Sequence, residues 1–421
     1  MTTSPVTRRT LLGALGVGAA SAAAVAVAPS ALAGRPSPGQ GQQRPPHASA
    51  RYDFHGAHQP GIATPQQENV YFASLAVTTT SRTELISVLR TWTGAAAAMM
   101  RGEPAGTAFP AGPDVPTDTG EAADLPASGL TITFGFGPTL FRSANGVDRF
   151  GIAAAQPRSL TLHTFPNDQL DPALVGGDMC IQACADDIQV AEHAVRMLVR
   201  LAQGAVRISW AQTGFAKTST LSNDGKTPRN LFGFKDGTAN ITSPFDLDTY
   251  VWVGGSDGPD WMTGGSYLAV RKVAMLLESW DAEPLEEQER TFGRTKATGA
   301  PLSGGSERTK PDFRATGPDG ELLIPADSHM ALAAPPANRG QRILRRGYNY
   351  LEGVDRDGKA QAGLLFIGFV RDLDRQFVPL QTRLSQSDLM NEYVRYIGSA
   401  VFAIPPGVPS ADRYVGQDLF G

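Results

Sequence analysis

Apolar and polar positions along this chain fall into the same order of elements twice. In the first half, Val70 to Thr78 alternates as a strand and Glu84 to Met100 has helical spacing. Leu130 to Phe136 and Met179 to Cys184 again read as strands. Val190, Ala194, Met197, Leu198 and Leu201 follow a 3.6-residue period that predicts a helix over 188–201, and Val206 to Trp210 closes the set as a strand. The order β-α-β-β-α-β is the split βαβ, or ferredoxin-like, plan.

The second half predicts a strand over 267–275, a helix over 286–292, a long loop-rich insertion and strands around Tyr348 and over 364–370. A helix over 384–397 and a strand over 400–404 follow. No residue-level repeat accompanies this repeated order. The expectation is an α+β fold of two ferredoxin-like (split βαβ) domains with antiparallel sheets, over 52–215 and 216–421, with a cleft in the C-terminal half. The glycine- and proline-rich runs 254–265 and 297–318 are expected to be surface excursions placed to cap a site.

The first residues stand outside that pattern. Arg8-Arg9 directly precedes an apolar run from Leu11 to Val27, which ends at Pro29 and the small-residue site Ala31-Leu32-Ala33. Residues 1–33 therefore look like a twin-arginine signal peptide, with a general secretory signal or a membrane anchor as the competing readings. Such signals serve proteins exported already folded, often with a cofactor inserted. The expected location is extracellular, cell-envelope or periplasmic, with no integral membrane span after processing. Residues 34–51 are rich in Pro, Gly, Gln and Ser and read as a disordered linker.

Composition removes several classes of function. The net charge of −4 over 421 residues gives no sign of a nucleic-acid partner. The two cysteines, Cys180 and Cys184, are four apart on a predicted strand, about 13 Å and beyond disulfide reach, so both are expected to be buried thiols. The six histidines include no HxH, HExxH or Cys/His spacing, which argues against divalent-metal hydrolysis. His47 falls in the linker, and His163 and His193 read as structural.

Two segments remain that could carry chemistry. Leu231-Phe232-Gly233-Phe234-Lys235-Asp236-Gly237-Thr238-Ala239-Asn240 places one carboxylate in a short apolar, glycine-rich turn. It reads either as a plain hairpin turn or as an acid whose proton affinity is set for catalysis. His329 follows a long loop and precedes the basic segment 339–346. It caps a helix start, or it is the one axial ligand of a metal whose other ligands come from a macrocycle, as in haem. An open iron site needs a proton acceptor for peroxide, a fixed cation and a dry wall. Asp236, Arg345 and the strand over 364–369, with Leu365 and Phe366 lining the cofactor, would supply these in that order.

Taken together, the motifs resemble the dye-decolorizing (DyP-type) haem peroxidases, in their exported, deferrochelatase-like group. The matching residues are 54–62 (Phe-His-Gly-Ala-His-Gln-Pro-Gly-Ile), 177–187, the turn around Asp236, Ser328-His329, Leu344-Arg345-Arg346-Gly347-Tyr348 and 363–369, in that order along nearly all of the chain from Tyr52. Pro60 and the apolar Met330-Ala331-Leu332 depart from the usual pattern without touching the proposed chemistry.

The resemblance implies haem b, one per chain, with His329 as axial ligand, Asp236 as acid–base residue and Arg345 as the arginine beside it. Arg346 is the adjacent alternative. It implies that Asp388 hydrogen-bonds the far nitrogen of His329, against a reading as an exposed helix residue. The implied activity is oxidation of dyes and phenolics by hydrogen peroxide through a ferryl intermediate, with Trp252, Trp261, Tyr348 and Tyr393 as candidate surface sites for bulky donors. The resemblance equally allows release of iron from haem, or Fe(II) oxidation for an iron-uptake permease, and it allows a homo-oligomer.

Overall fold

Nine strands, all paired antiparallel, carry the fold of the computed structural model, which describes residues 50–216 and 227–421. The leader and nearly all of the linker expected over 1–51 lie outside the described residues.

The strands are β1 (Asn69–Val77), β2 (Thr131–Phe136), β3 (Met179–Ala185), β4 (Val206–Phe215), β5 (Ser266–Met275), β6 (Leu344–Arg345), β7 (Tyr348–Val354), β8 (Ala360–Val370) and β9 (Val394–Ile404). The first four pair in the order β4-β1-β3-β2. The last group repeats that arrangement as β9-β5-β8-β7, with β6 added alongside β8. Each is the strand order that the split βαβ plan requires. Single residue pairs, Phe136 with Ala403 and Phe215 with Asn349, join the two groups at their edges.

Burial follows the period-two alternation of strands. Val70, Phe72, Cys180, Cys184 and Trp210 from the first group meet Leu268, Val270, Leu365, Ile367, Phe369 and Phe402 from the second in one apolar layer. Both cysteines are free and buried there. The outer face of the first group packs against helices Arg82–Met100 and Ile188–Leu201. Ser81 caps the former by accepting from the Glu84 amide, and Asp187 caps the latter by accepting from the Gln189 amide. Fully buried Trp92 donates its indole N–H to the Leu198 carbonyl at 2.7 Å, so it ties the helices together.

One predicted element is corrected. The helix expected over 384–397 spans Val378–Ser387 and stops at Asp388, whose backbone is extended (φ −73°, ψ 124°). A short 3-10 turn follows, and Val394, Tyr396 and Ile397 belong to β9, where β-branched and aromatic residues pack on a pleated surface. That break turns the Asp388 side chain back toward the helix that begins at His329.

Candidate active site

His329 opens the short helix His329–Ala333, with Ser328 as the preceding cap residue. Ser328 is fully buried and donates its hydroxyl to the Pro325 carbonyl at 2.7 Å. Gly293, at φ +79°, ends the helix Leu285–Phe292 and passes close by; a Cβ there would lie 2.9 Å from the Ser328 hydroxyl. Backbone packing thus fixes where the imidazole starts.

The Asp388 carboxylate fixes how the ring is turned. Nδ1 of His329 donates to its Oδ2 at 2.6 Å, and its other oxygen accepts from the Met390 amide at 2.9 Å. Asp388 is 2% exposed in its side chain, whereas the His329 ring is 34% exposed. Among the described residues Nε2 of His329 has no hydrogen-bond partner. Burial works against protonation of His329, but the charge and hydrogen bond of Asp388 outweigh it and hold the imidazole above its ordinary pKa. The ring is therefore anchored and electron-rich on one side and free to ligate on the other.

Asp236 stands on the turn that the sequence singled out. Its amide donates to the Pro228 carbonyl at 2.9 Å, and Gly233 and Gly237 take φ values of +83° and +118° that side chains disfavour. Phe232 and Phe234 anchor the turn from below, each 1% exposed, and Phe234 stacks on Phe292 at 4.0 Å. Asp236 Oδ1 accepts from Arg345 Nη1 at 2.8 Å. Asn240 clamps the Arg345 backbone, accepting from its amide at 2.9 Å and donating to its carbonyl at 2.7 Å. Both side chains stay about one-third exposed, at 33% for Asp236 and 36% for Arg345. A carboxylate and a guanidinium are thus held together and open to a ligand.

The two segments meet through Phe292. Arg345 lowers and Asp236 raises the proton affinity of His329, so the three charges act on one another. The ring of Phe292, which carries Phe234, also meets His329 edge-on at 6.2 Å. No group of three His, Cys, Asp or Glu side chains able to hold a metal ion occurs among the described residues. One anchored imidazole with a free nitrogen fits a metal that brings its remaining ligands in a macrocycle.

Comparison with known proteins decides the family. A family model for the Dyp-type peroxidase N-terminal region matches residues 59–216, and one for the C-terminal region matches residues 227–409. The chain belongs to the Dyp-type peroxidase family. Among similar proteins, the Deferrochelatase of Shigella flexneri serotype 5b (strain 8401) is 37% identical over 421 residues, covering 98% of this chain and 96% of that one. The Deferrochelatase of Escherichia coli (strain K12) is 38% identical, covering 90% and 89%. Among solved structures, DtpA from Streptomyces lividans matches with a TM-score of 0.82 and 38% identity over 89% of this chain and 99% of that one. A DyP-type peroxidase from Streptomyces coelicolor matches with a TM-score of 0.82 and 38% identity, over 89% and 98%. This Dyp-type peroxidase is accordingly a haem enzyme.

Within its site, strand parity sorts the remaining expectations. Arg345 pairs with Gly368, which puts its side chain on the β8 face shared by Leu364 and Phe366. Leu365 is corrected: it is fully buried on the opposite face, in the layer between the two strand groups, and Leu364 takes its place beside Phe234 and Phe292. Phe366 is half-buried on the expected face and stacks on Phe377 at 6.3 Å. Arg346 turns to the opposite face, 3% exposed, and donates to the Thr64 and Pro65 carbonyls and to Gln67. It is a buried cation held by the 64–67 segment, on the face opposite Arg345.

Trp252, Trp261, Tyr348 and Tyr393 are all buried, so none is a surface residue. His58 stacks on Trp252 at 3.8 Å and bonds the Gly264 carbonyl, and His55 approaches the Val408 carbonyl; both pin backbone. His193 lies against Glu121 at 3.1 Å on its helix. Sequence reasoning missed Asn240 and Phe292, and within the 364–369 wall it singled out Leu365 in place of Leu364. Asn240 was visible as the last residue of the turn motif, while the other two depend on register and packing.

Proposed function

We propose that this peroxidase holds haem b between His329 on one side and the Asp236–Arg345 pair on the other, and uses hydrogen peroxide to oxidise organic donors such as dyes and phenolics. The observation that supports it best is an anchored, partly exposed imidazole and a partly exposed acid–guanidinium pair whose segments meet through Phe292. The likeness to DtpA, whose structure is described as an oxyferrous mixed complex, supports the same reading. When bound, the haem would supply the redox chemistry.

The chain's own groups do the rest. His329 would hold the haem iron through Nε2, with Asp388 fixing its tautomer and increasing its basicity. Asp236 would take a proton from one oxygen of hydrogen peroxide and deliver it to the other, the bound haem supplying the two electrons needed for that oxygen to leave as water. Arg345 stabilises the negative charge that develops as the O–O bond breaks. Leu364 and Phe366 keep that side dry. The test is to load the chain with haem, record its absorbance, add peroxide and follow a dye. Peroxide-dependent turnover with haem retained supports the reading, and equal turnover by Asp236→Asn overturns the role of the acid.

A second reading is favoured by the name Deferrochelatase carried by similar proteins. In it the chain releases iron from haem, or oxidises Fe(II), for an iron-uptake permease. Recovery of intact metal-free porphyrin would favour it over the peroxidase. We further propose export by the twin-arginine route, supported by Arg8-Arg9 and the run that follows. No helix among the described residues is long and apolar enough to cross a membrane. The proposal keeps a leader over 1–33, a linker over 34–51, two ferredoxin-like domains over 52–215 and 216–421, and homo-oligomerisation as a property to be measured.

A further inference from the structure

The loop over 297–318 contributes one inward-facing acid to the distal side. In the run 304–310 every residue is exposed except Glu307. Its carboxylate takes the Lys235 ammonium and the Thr227 hydroxyl, and accepts from the Thr238 hydroxyl at 3.0 Å. Lys235 and Thr238 flank Asp236 on either side.

The loop that carries Glu307 is itself fastened. Arg294 donates to the Gly299 carbonyl at 2.7 Å and to the Glu307 carbonyl at 3.0 Å. Arg229 donates to the carbonyls of Gly233, Lys296 and Ala297 at 2.6, 2.6 and 2.9 Å, joining the turn's own backbone to the base of the loop. Gly299, at φ +78°, leaves room for the Lys235 stem, since a Cβ there would lie 2.7 Å from its Cδ. The other flank of the turn is held by Asn240 on the Arg345 backbone. Among the described residues, the Lys235 and Thr238 side chains are hydrogen-bonded to Glu307 alone.

We propose that Glu307 is a positioning residue for Asp236: by gripping Lys235 and Thr238 together it holds the turn so that the carboxylate stays on Arg345 and within reach of peroxide. The proposal rests on the assignment of Asp236 to the proton transfer. Glu307 acts through Lys235 and Thr238 rather than on the peroxide itself. A carboxylate suits the task because it accepts several donors at once, and an amide in its place loses the ion pair and one acceptor. Charges around Asp236 come from Arg345, from Lys235 and Glu307 of the clamp, and from Arg294 and His329 behind them.

The test compares wild type, Glu307→Gln, Thr238→Val and Asp236→Asn by two readouts. The first is amide hydrogen exchange of the cofactor-free chain over 227–240, with β5 and β8 as internal controls. The second is the rate and pH profile of the peroxide reaction of the haem-loaded enzyme. Glu307→Gln is expected to speed exchange in 227–240 alone and to slow the peroxide reaction about tenfold to a hundredfold. The pH profile of that reaction should differ from wild type, because Lys235 and Arg294 then lack a counter-charge beside the turn. Thr238→Val, a milder loss, should move both readouts in the same direction.

Unchanged exchange in both variants overturns the clamp, whatever the rates. Faster exchange with a wild-type peroxide rate and pH profile overturns the link to the reaction, provided Asp236→Asn is slow. Should Asp236→Asn also react at the wild-type rate, the assignment of Asp236 fails and the proposal falls with it.

Discussion

Nδ1 of His329 lies 2.6 Å from Oδ2 of Asp388, 59 positions away in the chain, and the carboxylate that holds the ring is almost entirely sealed from solvent. A buried acceptor on that nitrogen leaves the opposite nitrogen available to a metal and, in the proposed site, would make it a stronger donor to iron. Asp388→Asn keeps the shape and removes the charge. It should shift the haem reduction potential to more positive values and weaken haem retention or turnover by about 10- to 100-fold, read by spectroelectrochemical titration. An unchanged potential would mean that the carboxylate does not act on the iron.

Asp236 and Arg345 should fail separately from haem binding. Asp236→Asn and Arg345→Leu are each expected to slow the peroxide reaction by about 10²-fold or more while haem affinity stays near wild type. Stopped-flow absorbance against peroxide concentration measures the rate, and haem titration measures the affinity.

Arg346 should behave in the opposite way to its neighbour. Replacing it with Met removes a buried donor from Thr64, Pro65 and Gln67 and should cost about 3 kcal/mol or more of stability, measured by urea unfolding of the cofactor-free chain. The folded fraction should react with peroxide at the wild-type rate. A slow peroxide step in the folded fraction would reopen Arg346 as the distal cation.

Glu307 adds a pH dependence to stability. Burial raises its proton affinity, but hydrogen bonds from Lys235, Thr227 and Thr238 outweigh that and hold its pKa below the model-compound value of 4.5. A depressed carboxylate contributes stability that is complete above the unfolded pKa and lost as pH falls through the folded one. The stability gap between wild type and Glu307→Gln should therefore be present at pH 7 and close on acidification below 4.5. Chemical unfolding at stepped pH values would show it, and a gap that persists in strong acid would contradict it.

Much of the architecture was legible because strands and helices announce themselves by period, and the twofold β-α-β-β-α-β order needed nothing more. The chemical residues were harder. Asp236 showed itself by standing alone among Phe232, Gly233, Phe234 and Gly237, yet a turn and an acid look alike until Arg345 is placed beside it. Choosing Arg345 over Arg346, or Leu364 over Leu365, needs the parity of a strand. That parity comes from the pairing of Arg345 with Gly368, a contact remote in sequence. The helical spacing after Leu384 hid the break at Asp388, where a side chain accepting the Met390 amide ends one element and starts the next. Glu307 was invisible, since nothing distinguishes it among the polar residues of an aperiodic loop.

The proposed arrangement, with an imidazole on one side of the macrocycle and an acid with a guanidinium on the other, is tested most directly by titrating His329→Ala with haem and recording its ferric absorption spectrum beside that of wild type. The expected result is loss of tight binding with an altered spectrum. Full haem content with a spectrum identical to wild type would contradict it.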